Sequence, residues 1–241
     1  MKVFVSIVSH GHQSELDASG LLAALNGLEL IVRENKPEAC RKISTQYTYF
    51  QNLRPNGFGA NHNKNFEAAQ IADEDWFVIC NPDILTNAQN IQGLVTRAEA
   101  DGERIVAPYL FNEHTQQFDH NVRRRPTFIN LTRAFLKLGG RSRYTDEELR
   151  EMRYPDWCSG AFMAIKAGIF RELCGFDESY YMYMEDADLC TRSARTGIKI
   201  RFYGDIRMVH NAARDSGNIL SRSFAQHLTS ALRYFLKHRG N

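Results

Sequence analysis

The sequence has no long apolar run. In its 241 residues no stretch reaches the ~18 uninterrupted apolar residues that a membrane-spanning helix needs. Residues 1–13 carry one lysine and a short alternating apolar segment, which is unlike the apolar core and cleavage site of a signal peptide. We therefore expect a cytoplasmic protein without a spanning helix, and contact with the inner face of the membrane stays open.

The sequence also has few cysteines and no excess of charge of one sign. The five cysteines are odd in number and form no C-x-x-C pair, which excludes a disulfide framework or a structural zinc site as the first interpretation. Thirty Lys and Arg against 28 Asp and Glu give a net charge of +2, far from the dense positive field of nucleic-acid-binding proteins. We expect a reducing compartment and no nucleic-acid partner.

Short apolar runs alternate with amphipathic stretches in the first third of the chain. This βαβα order is typical of a mostly parallel sheet with right-handed crossovers, so we expect a single α/β domain over residues 1–241. We predict a loop-plus-helix excursion at 101–153. The predicted strands are 3–8, 28–34, 76–80, 161–165 and 199–203, and the predicted helices are 16–26, 61–72, 128–138, 187–195 and 221–238.

Polar residues that follow strands are the first candidates for a site, because parallel sheets bind ligands at the carboxyl ends of their strands. Asn81, Pro82 and Asp83 end one strand, and Asp83 is an oxygen ligand of the kind that Mg²⁺ or Mn²⁺ takes beside phosphate oxygens. An ordinary strand-ending turn explains the same pattern. His210 also follows a strand and suits Mn²⁺, although a lone histidine is more often structural.

Three carboxylates open a predicted helix directly after a run of tyrosines. Capping explains acidic residues in a first helical turn, but Glu185, Asp186 and Asp188 exceed what capping requires. A helix start at the carboxyl edge of the sheet would hold one of them toward a pocket, as a general base requires. Trp157 and Tyr183 are candidates for stacking on a ligand, although large aromatic side chains more often belong to the core.

A tight turn precedes the helix predicted to begin near Asn61. Gly57 and Gly59 permit the turn, and the backbone amides of such a helix start favour anions, including diphosphate. The segment lacks the Gly-Lys-Ser/Thr ending of a Walker loop and is not G-x-G-x-x-G. Alone it is a weak signal.

Taken in order, these segments resemble glycosyltransferase family 2, and within it the bacterial rhamnosyltransferase-like members. The match runs over almost the whole chain through VSIVSHGH, LIVRENKP, NGFGANHNKNFEAA, NPD, RRRPTFINLTRAFL, GAFMAIKAGIFRELCGFDESYYMYMEDADLCTR, MVH and SALRYFLKHRG. Glu34 and Asn35 stand where the family has Asp-Asn-Gly-Ser, and the sequence departs there because Arg33-Glu34 replaces the usual Val-Asp and Lys36-Pro37 replaces Gly-Ser. It departs again where Asn81 replaces the first carboxylate of D-x-D.

The resemblance implies a GT-A fold, with a nucleotide-binding half at 1–100 and an acceptor-binding and catalytic half at 101–241. It implies inverting transfer of rhamnose from dTDP-rhamnose to a hydroxyl of an O-antigen-like surface polysaccharide, free or lipid-linked. Asp186 would be the base with Glu185 in support, and Asp83 with His210 would hold Mn²⁺ or Mg²⁺. The implied nucleotide-sugar residues are Ser9, Glu34, Asn35, Asn56, Gly57, Asn61 and Asn81, and the implied acceptor residues are Trp157, Tyr183 and Asp188.

Other interpretations stay open at this point. A nucleotidyltransferase would show a glycine-rich N-terminal loop with a basic residue, which residues 9–11 lack, and a non-catalytic sugar-nucleotide-binding module would keep much of the same pattern. The basic run at 123–125 would face a lipid diphosphate, anionic headgroups or solvent. The amphipathic C-terminal helix would lie on a membrane, pack on the core or pack on a second subunit.

Overall fold

The computed structural model describes residues 1–39, 46–135, 142–211 and 222–239. The strands in these ranges are β1 (Val3–Ser9), β2 (Glu29–Glu34), β3 (Thr48–Gln51), β4 (Trp76–Cys80), β5 (Ile84–Leu85), β6 (Ile105–Asn112), β7 (Gln117–Phe118), β8 (Val122–Arg123), β9 (Trp157–Cys158), β10 (Phe162–Lys166) and β11 (Ile200–His210). The helices are α1 (Gln13–Ser19), α2 (Leu21–Ala24), α3 (Phe58–Ala69), α4 (Ala88–Ala100), α5 (Phe128–Phe135), α6 (Asp146–Glu151), α7 (Ala167–Glu172), α8 (Glu185–Arg195) and α9 (Arg222–Lys237).

One mixed sheet forms the centre of the fold. Its strand order is β3-β2-β1-β4-β10-β6-β11-β5, with β7 paired to β6, and β8 and β9 form a separate two-stranded ribbon. The strands β1 to β4 are mutually parallel, β10 runs antiparallel between β4 and β6, and β11 is parallel to β6. Most registered residue pairs are parallel, which confirms the predicted α/β fold. The strand order reverses at β1 and β4, and ligands bind at such a point in open α/β sheets.

Helices cover both faces of the sheet, so its central strands are apolar throughout. All five residues of β4 are buried, as expected for a parallel strand covered on both sides. Trp76, Val78 and Cys80 face the cluster built with α1, α2 and α4. Phe77 and Ile79 face the cluster built with α3, α7 and α8. This two-sided core holds the strand ends, and therefore the site, in fixed positions.

The structure corrects the prediction of a loop-plus-helix excursion at 101–153. β6 lies within that range and runs beside β11 in the sheet. Pro108 breaks the apolar pattern of β6, and it pairs with Tyr203 where the register of β11 shifts, the kind of irregularity that accommodates proline in a sheet. An apolar strand interrupted by proline and followed by charged residues was therefore missed.

Several helix and strand limits also differ from the predictions. The predicted helix at 16–26 is two helices, because Gly20 adopts a left-handed conformation with φ 65° between them. The helices α3 and α8 begin earlier than predicted, at Phe58 and Glu185, and β11 extends through His210 instead of ending before it. The predicted helix ends at 136–138 and at 221 lie outside the described residues. In the described ranges no helix is both long and apolar enough to cross a membrane.

Candidate active site

Glu34 organises the two loops that follow β1 and β2. Its buried carboxylate accepts hydrogen bonds from Ser9 Oγ at 2.7 Å, Gly11 N at 3.0 Å and Lys36 N at 2.7 Å. Glu34 and Ser9 thus lie together at the carboxyl edge of the sheet. Both carboxylate oxygens are engaged by the loops, so Glu34 fixes the shape of this edge.

An asparagine network continues the same edge toward α3. Asn35 Oδ1 accepts hydrogen bonds from Asn52 Nδ2 and Asn56 N, both at 2.8 Å, and Asn61 Oδ1 accepts from Asn52 Nδ2 at 2.6 Å. Arg33, which is buried, donates to Asn52 Oδ1 at 3.1 Å. The network brings three predicted residues together and adds Asn52 and Arg33, which the sequence analysis missed. A charged residue in the apolar strand LIVRE was the available signal, since a buried guanidinium needs acceptors.

Gly57 packs closely against the segment that leads into the acidic helix. A Cβ at Gly57 would lie 2.7 Å from the Tyr181 carbonyl oxygen and 3.0 Å from that of Tyr180. The first amide of α3, Phe58 N, donates to Tyr181 O at 2.8 Å. We predicted that the amides of this turn favour diphosphate. The structure instead uses the amide of Phe58 to hold residues 177–183, which we call the tyrosine segment. The glycine is required for close approach of two backbones.

Asp83 and His210 meet at the end of the sheet, where β5 pairs with β11. His210 is opposite Ile84 in the register, and its Nε2 lies 3.3 Å from Asp83 Oδ1. Its Nδ1 lies 2.6 Å from Asp119 Oδ2. Asp83 Oδ1 is buried and makes no well-aligned hydrogen bond. A buried carboxylate oxygen that faces an imidazole nitrogen fits a divalent cation.

Two carboxylates set the charge of His210. Burial alone lowers the pKa of His210, but Asp119 and Asp83 outweigh burial and raise it to about 9. Among the described residues, no group of three or more His, Cys, Asp or Glu side chains is arranged to hold a metal. A cation at Asp83 and His210 would therefore have to displace the proton of the imidazole, and it would need further ligands from a bound molecule, as Mg²⁺ does when it bridges protein and phosphate oxygens.

The acidic helix α8 begins after two residues in a left-handed conformation. Tyr183 and Met184 have φ values of 69° and 70°, a conformation that costs energy in residues other than glycine. Asp186 follows in the first turn and is half-buried. Its Oδ2 accepts from Gly160 N at 3.0 Å and its Oδ1 from Ala187 N at 2.7 Å. These bonds fix the carboxylate and leave part of it accessible.

Burial governs the acidity of both carboxylates at this helix start. Burial raises the pKa of Asp186, and its amide donors and the guanidinium of Arg123 offset this only in part. Burial and the charge of Asp186 raise the pKa of Glu185 well above its usual range. Glu185 Oε2 is buried without a hydrogen-bond partner. Asp186 is thus the more accessible of the two.

Asp188 joins α8 to α9. Its carboxylate is fully buried and lies 2.7 Å from Arg192 Nε, 2.7 Å from Lys237 Nζ and 2.8 Å from His238 Nε2. All three partners are basic side chains of the protein itself. The structure therefore places this predicted acceptor residue inside the helix packing, where a direct contact with an acceptor would require these bonds to break.

Backbone hydrogen bonds connect the Asp83 end of β4 to Asp186. Asn81 N donates to Ala161 O at 2.9 Å, and the neighbouring Gly160 N binds the Asp186 carboxylate. β10 runs antiparallel to β4, so its first residues lie beside the last residues of β4. Asp83 and Asp186 therefore lie at the same edge of the sheet.

Aromatic and basic side chains extend the site around Asp186. Trp157 is half-buried, its Nε1 donates to Arg124 O at 2.9 Å, and the Arg123 guanidinium lies 5.4 Å from its ring centre. The Tyr183 ring contacts the His227 ring at 5.0 Å. Burial, together with the charge of Arg123, lowers the pKa of His227. The predicted residues Trp157 and Tyr183 thus flank Asp186 on the side of α9.

Solved structures with the same fold are glycosyltransferases. GalNAc-T7, solved with UDP, GalNAc and Mn²⁺, superposes with a TM-score of 0.67 at 15% identity, covering 98% of this chain and 48% of that one. The mannosyltransferase PcManGT of Pyrobaculum calidifontis, solved with GDP-Man and Mn²⁺, gives a TM-score of 0.62 at 15% identity, over 98% of this chain and 64% of that one. The likeness confirms the GT-A fold. The chain is shorter than either structure.

Relatives of similar sequence show which glycosyltransferases the chain resembles. No family model matches the chain. The rhamnosyltransferase WbbL of Escherichia coli is 28% identical over 249 residues, covering 98% of this chain and 94% of WbbL. The chain is a glycosyltransferase similar to the rhamnosyltransferases of family 2. An N-acetylglucosaminyl-diphospho-decaprenol L-rhamnosyltransferase of Mycobacterium tuberculosis is 25% identical over 161 residues. The match covers 64% of this glycosyltransferase and 52% of that relative.

Two residues that support this glycosyltransferase site escaped the sequence analysis. Asp119 follows the short strand β7 and binds His210 Nδ1. Gly160 precedes β10 and binds Asp186, and a Cβ there would lie 2.7 Å from the ring of Phe58. Asp119 belongs to none of the segments quoted above, and Gly160 opens the segment GAFMAIK without a role assigned to it there. Only the folded arrangement of strand ends reveals them.

We expect Glu185→Gln to make this glycosyltransferase more stable at neutral pH. Because folding raises the pKa of Glu185, the folded state binds its proton more tightly than the unfolded state, and ionisation above the unfolded pKa of about 4.3 costs stability. The amide cannot ionise. We expect a gain of about 1–3 kcal/mol in urea unfolding at pH 8, which disappears toward pH 4. The exposed Glu172→Gln is the control. A less stable Glu185→Gln variant at pH 8 would contradict the prediction.

Proposed function

We propose that this glycosyltransferase transfers rhamnose from dTDP-rhamnose, with inversion at the anomeric carbon, to a hydroxyl of a lipid-linked saccharide in bacterial surface-polysaccharide assembly. The name of WbbL supports the sugar, and the name of the mycobacterial relative supports a diphosphate-lipid acceptor. The observation that carries the mechanism is the position of Asp83, His210 and Asp186 at one edge of the sheet.

Asp186 acts as the general base. Its carboxylate takes the proton of the acceptor hydroxyl while that oxygen attacks the anomeric carbon, and the bond to the nucleoside diphosphate breaks in line. Gly160 N and Ala187 N orient the carboxylate. Burial raises its pKa, which makes it a stronger base than an exposed aspartate. Glu185 supports it from the buried side of the helix start.

Asp83 and His210 hold a divalent cation, Mn²⁺ or Mg²⁺. The fit rests on Asp83 Oδ1, which is buried without a good hydrogen bond and faces the imidazole. A cation bound there would supply positive charge to offset the negative charge that develops on the leaving diphosphate. Asp119 is a positioning residue, since its bond to Nδ1 turns Nε2 toward Asp83.

The donor lies over the loops at the carboxyl ends of β1 to β4, within residues 1–100, and the acceptor lies in the half formed by residues 101–241. Trp157 and Tyr183 line the acceptor side, and Asp188 supports them through α9. The residues assigned to the donor pocket are Ser9, Glu34, Asn35, Asn56, Gly57, Asn61 and Asn81, several of which are joined by hydrogen bonds.

A thermal-shift screen of nucleotide sugars with and without Mn²⁺ tests the donor. A ligand at 100 times its dissociation constant stabilises by about 2.7 kcal/mol, which for a protein of this size is roughly 5–10 °C in Tm. We expect this shift with dTDP-rhamnose and Mn²⁺, and smaller shifts with UDP- or GDP-sugars. A larger shift with UDP- or GDP-sugars would overturn the proposed donor, and an equal shift without Mn²⁺ would overturn the metal.

A further inference from the structure

Two neighbouring helices expose large apolar side chains on one surface. The rings of Phe128 and Phe235 are 5.8 Å apart, so α5 and α9 are adjacent there. We call this surface the α5/α9 face. Its exposed members, with their exposed fractions, are Phe128 (66%), Ile129 (69%), Leu228 (49%), Leu232 (57%) and Leu236 (52%).

The opposite side of α9 is fixed to the acidic helix. Ala231 and Tyr234 are buried against Tyr180, Met184 and Ala187. The contact settles one alternative of the sequence analysis, because the C-terminal helix packs on the core. The three leucines, spaced four residues apart, form a separate stripe. Packing on the core therefore leaves an apolar stripe of α9 exposed.

Both helices belong to segments without a single carboxylate side chain. Residues 120–145 contain seven Lys and Arg and no Asp or Glu, and residues 216–241 contain four Lys and Arg and no Asp or Glu. All 28 acidic residues lie elsewhere in the chain. Arg125, Arg133, Arg233 and Arg239 are exposed in the described part. The segments that carry the exposed apolar stripe are thus positively charged.

We infer that the α5/α9 face docks on an anionic lipid bilayer. Apolar side chains enter the boundary between headgroups and acyl chains, and each basic residue near an anionic surface adds attraction. A second copy of the chain fits less well, since a two-fold contact of this face with itself would set basic residues against basic residues. Charge therefore favours the bilayer as the occupant.

Docking there would serve the lipid-linked acceptor of the proposed function, on which this inference rests. The helix α9 holds α8 through Asp188, and its His227 contacts Tyr183 near Asp186. The helix that carries the docking face is therefore joined directly to the helix that carries the base. An acceptor anchored in the same bilayer would reach Asp186 without leaving the lipid.

Flotation of the full chain with liposomes tests the inference. We expect binding to vesicles of phosphatidylcholine with phosphatidylglycerol and little binding to phosphatidylcholine alone, with binding weakened by salt. The triple variant Leu228→Gln, Leu232→Gln, Leu236→Gln should bind at least tenfold more weakly, and Arg125→Gln with Arg239→Gln should weaken binding to anionic vesicles. Leu53→Gln is the control, because Leu53 is 94% exposed on a different segment, and it should bind like the wild type.

Three outcomes would overturn the inference: no binding of the wild type, unchanged binding of the triple leucine variant, or a concentration-dependent dimer that the leucine substitutions abolish. Transfer to a detergent-free, short-chain soluble acceptor separates the two proposals. The triple variant should retain that activity in solution while losing transfer to an acceptor in vesicles. If the wild type binds vesicles but transfers no rhamnose to either acceptor, the proposed function fails and the docking face stands.

Discussion

Asp186→Asn is expected to lower the rate of sugar transfer by roughly 10²–10⁴-fold, because a general base contributes about that factor. The amide keeps the size of the side chain but cannot accept the proton of the acceptor hydroxyl. Donor binding, measured by thermal shift with dTDP-rhamnose and Mn²⁺, should stay near that of the wild type. Because folding raises the pKa of Asp186, the acid limb of the wild-type kcat/KM profile should lie above the pKa of an ordinary aspartate.

Asp177→Asn is the matched control. Asp177 lies in the same segment, and its hydrogen bonds with Lys237 and Ser179 outweigh burial and hold its pKa at about 2. The substitution removes an ion pair between the tyrosine segment and α9, so it should reduce stability with little effect on the transfer rate. If Asp186→Asn retains transfer at the rate of Asp177→Asn, the base is another residue, and Glu185 is the next candidate.

The strands β1, β2, β4, β10 and β11 and the helices α3, α5, α8 and α9 could be predicted, because their local sequence patterns agree with the fold. The edge strand β3 and the helices α4 and α7, which also cover the sheet, were not predicted. The strand at 76–80 is apolar throughout and ends at a proline, so both its position and its end followed from the sequence. The segment at 105–112 was missed, because Pro108 interrupts it and the irregularity that accommodates proline is contributed by β11, about a hundred residues later. A single sequence does not carry that pairing.

The proximity of Asp83 and His210 was predicted, because both residues follow strand ends. The residues that support them were not predicted, because they depend on contacts between distant segments. The helix α3 buries Asn61, His62, Asn63 and Asn65, which periodicity alone would place in solvent. Asn65 Nδ2 and His62 Nδ1 both bind Ser6 Oγ at 2.8 Å. Burial of polar residues follows their hydrogen-bond partners, and the partners appear only in the folded chain.

Asp83→Asn and His210→Gln are each expected to weaken Mn²⁺ binding and to slow transfer by two orders of magnitude or more, since a Lewis acid at the leaving group contributes several kcal/mol. Asp119→Asn should have a smaller effect, with Mn²⁺ affinity reduced by roughly 10–100-fold, as expected for a residue that orients a ligand. The free Mn²⁺ signal in electron paramagnetic resonance, recorded during titration with dTDP present, measures binding independently of transfer.

The ranking of the three variants distinguishes ligands from their support. Excess Mn²⁺ should restore much of the activity of Asp119→Asn, because the two ligands stay in place, and it should restore little in Asp83→Asn. Glu113→Gln is the control, since this exposed carboxylate hydrogen-bonds Asn211 beside His210 without touching the imidazole. Unchanged Mn²⁺ affinity in both ligand variants would place the cation elsewhere. Protonated His210 would then pair with Asp83 through Nε2 and with Asp119 through Nδ1. These two ion pairs would hold this edge of the fold together.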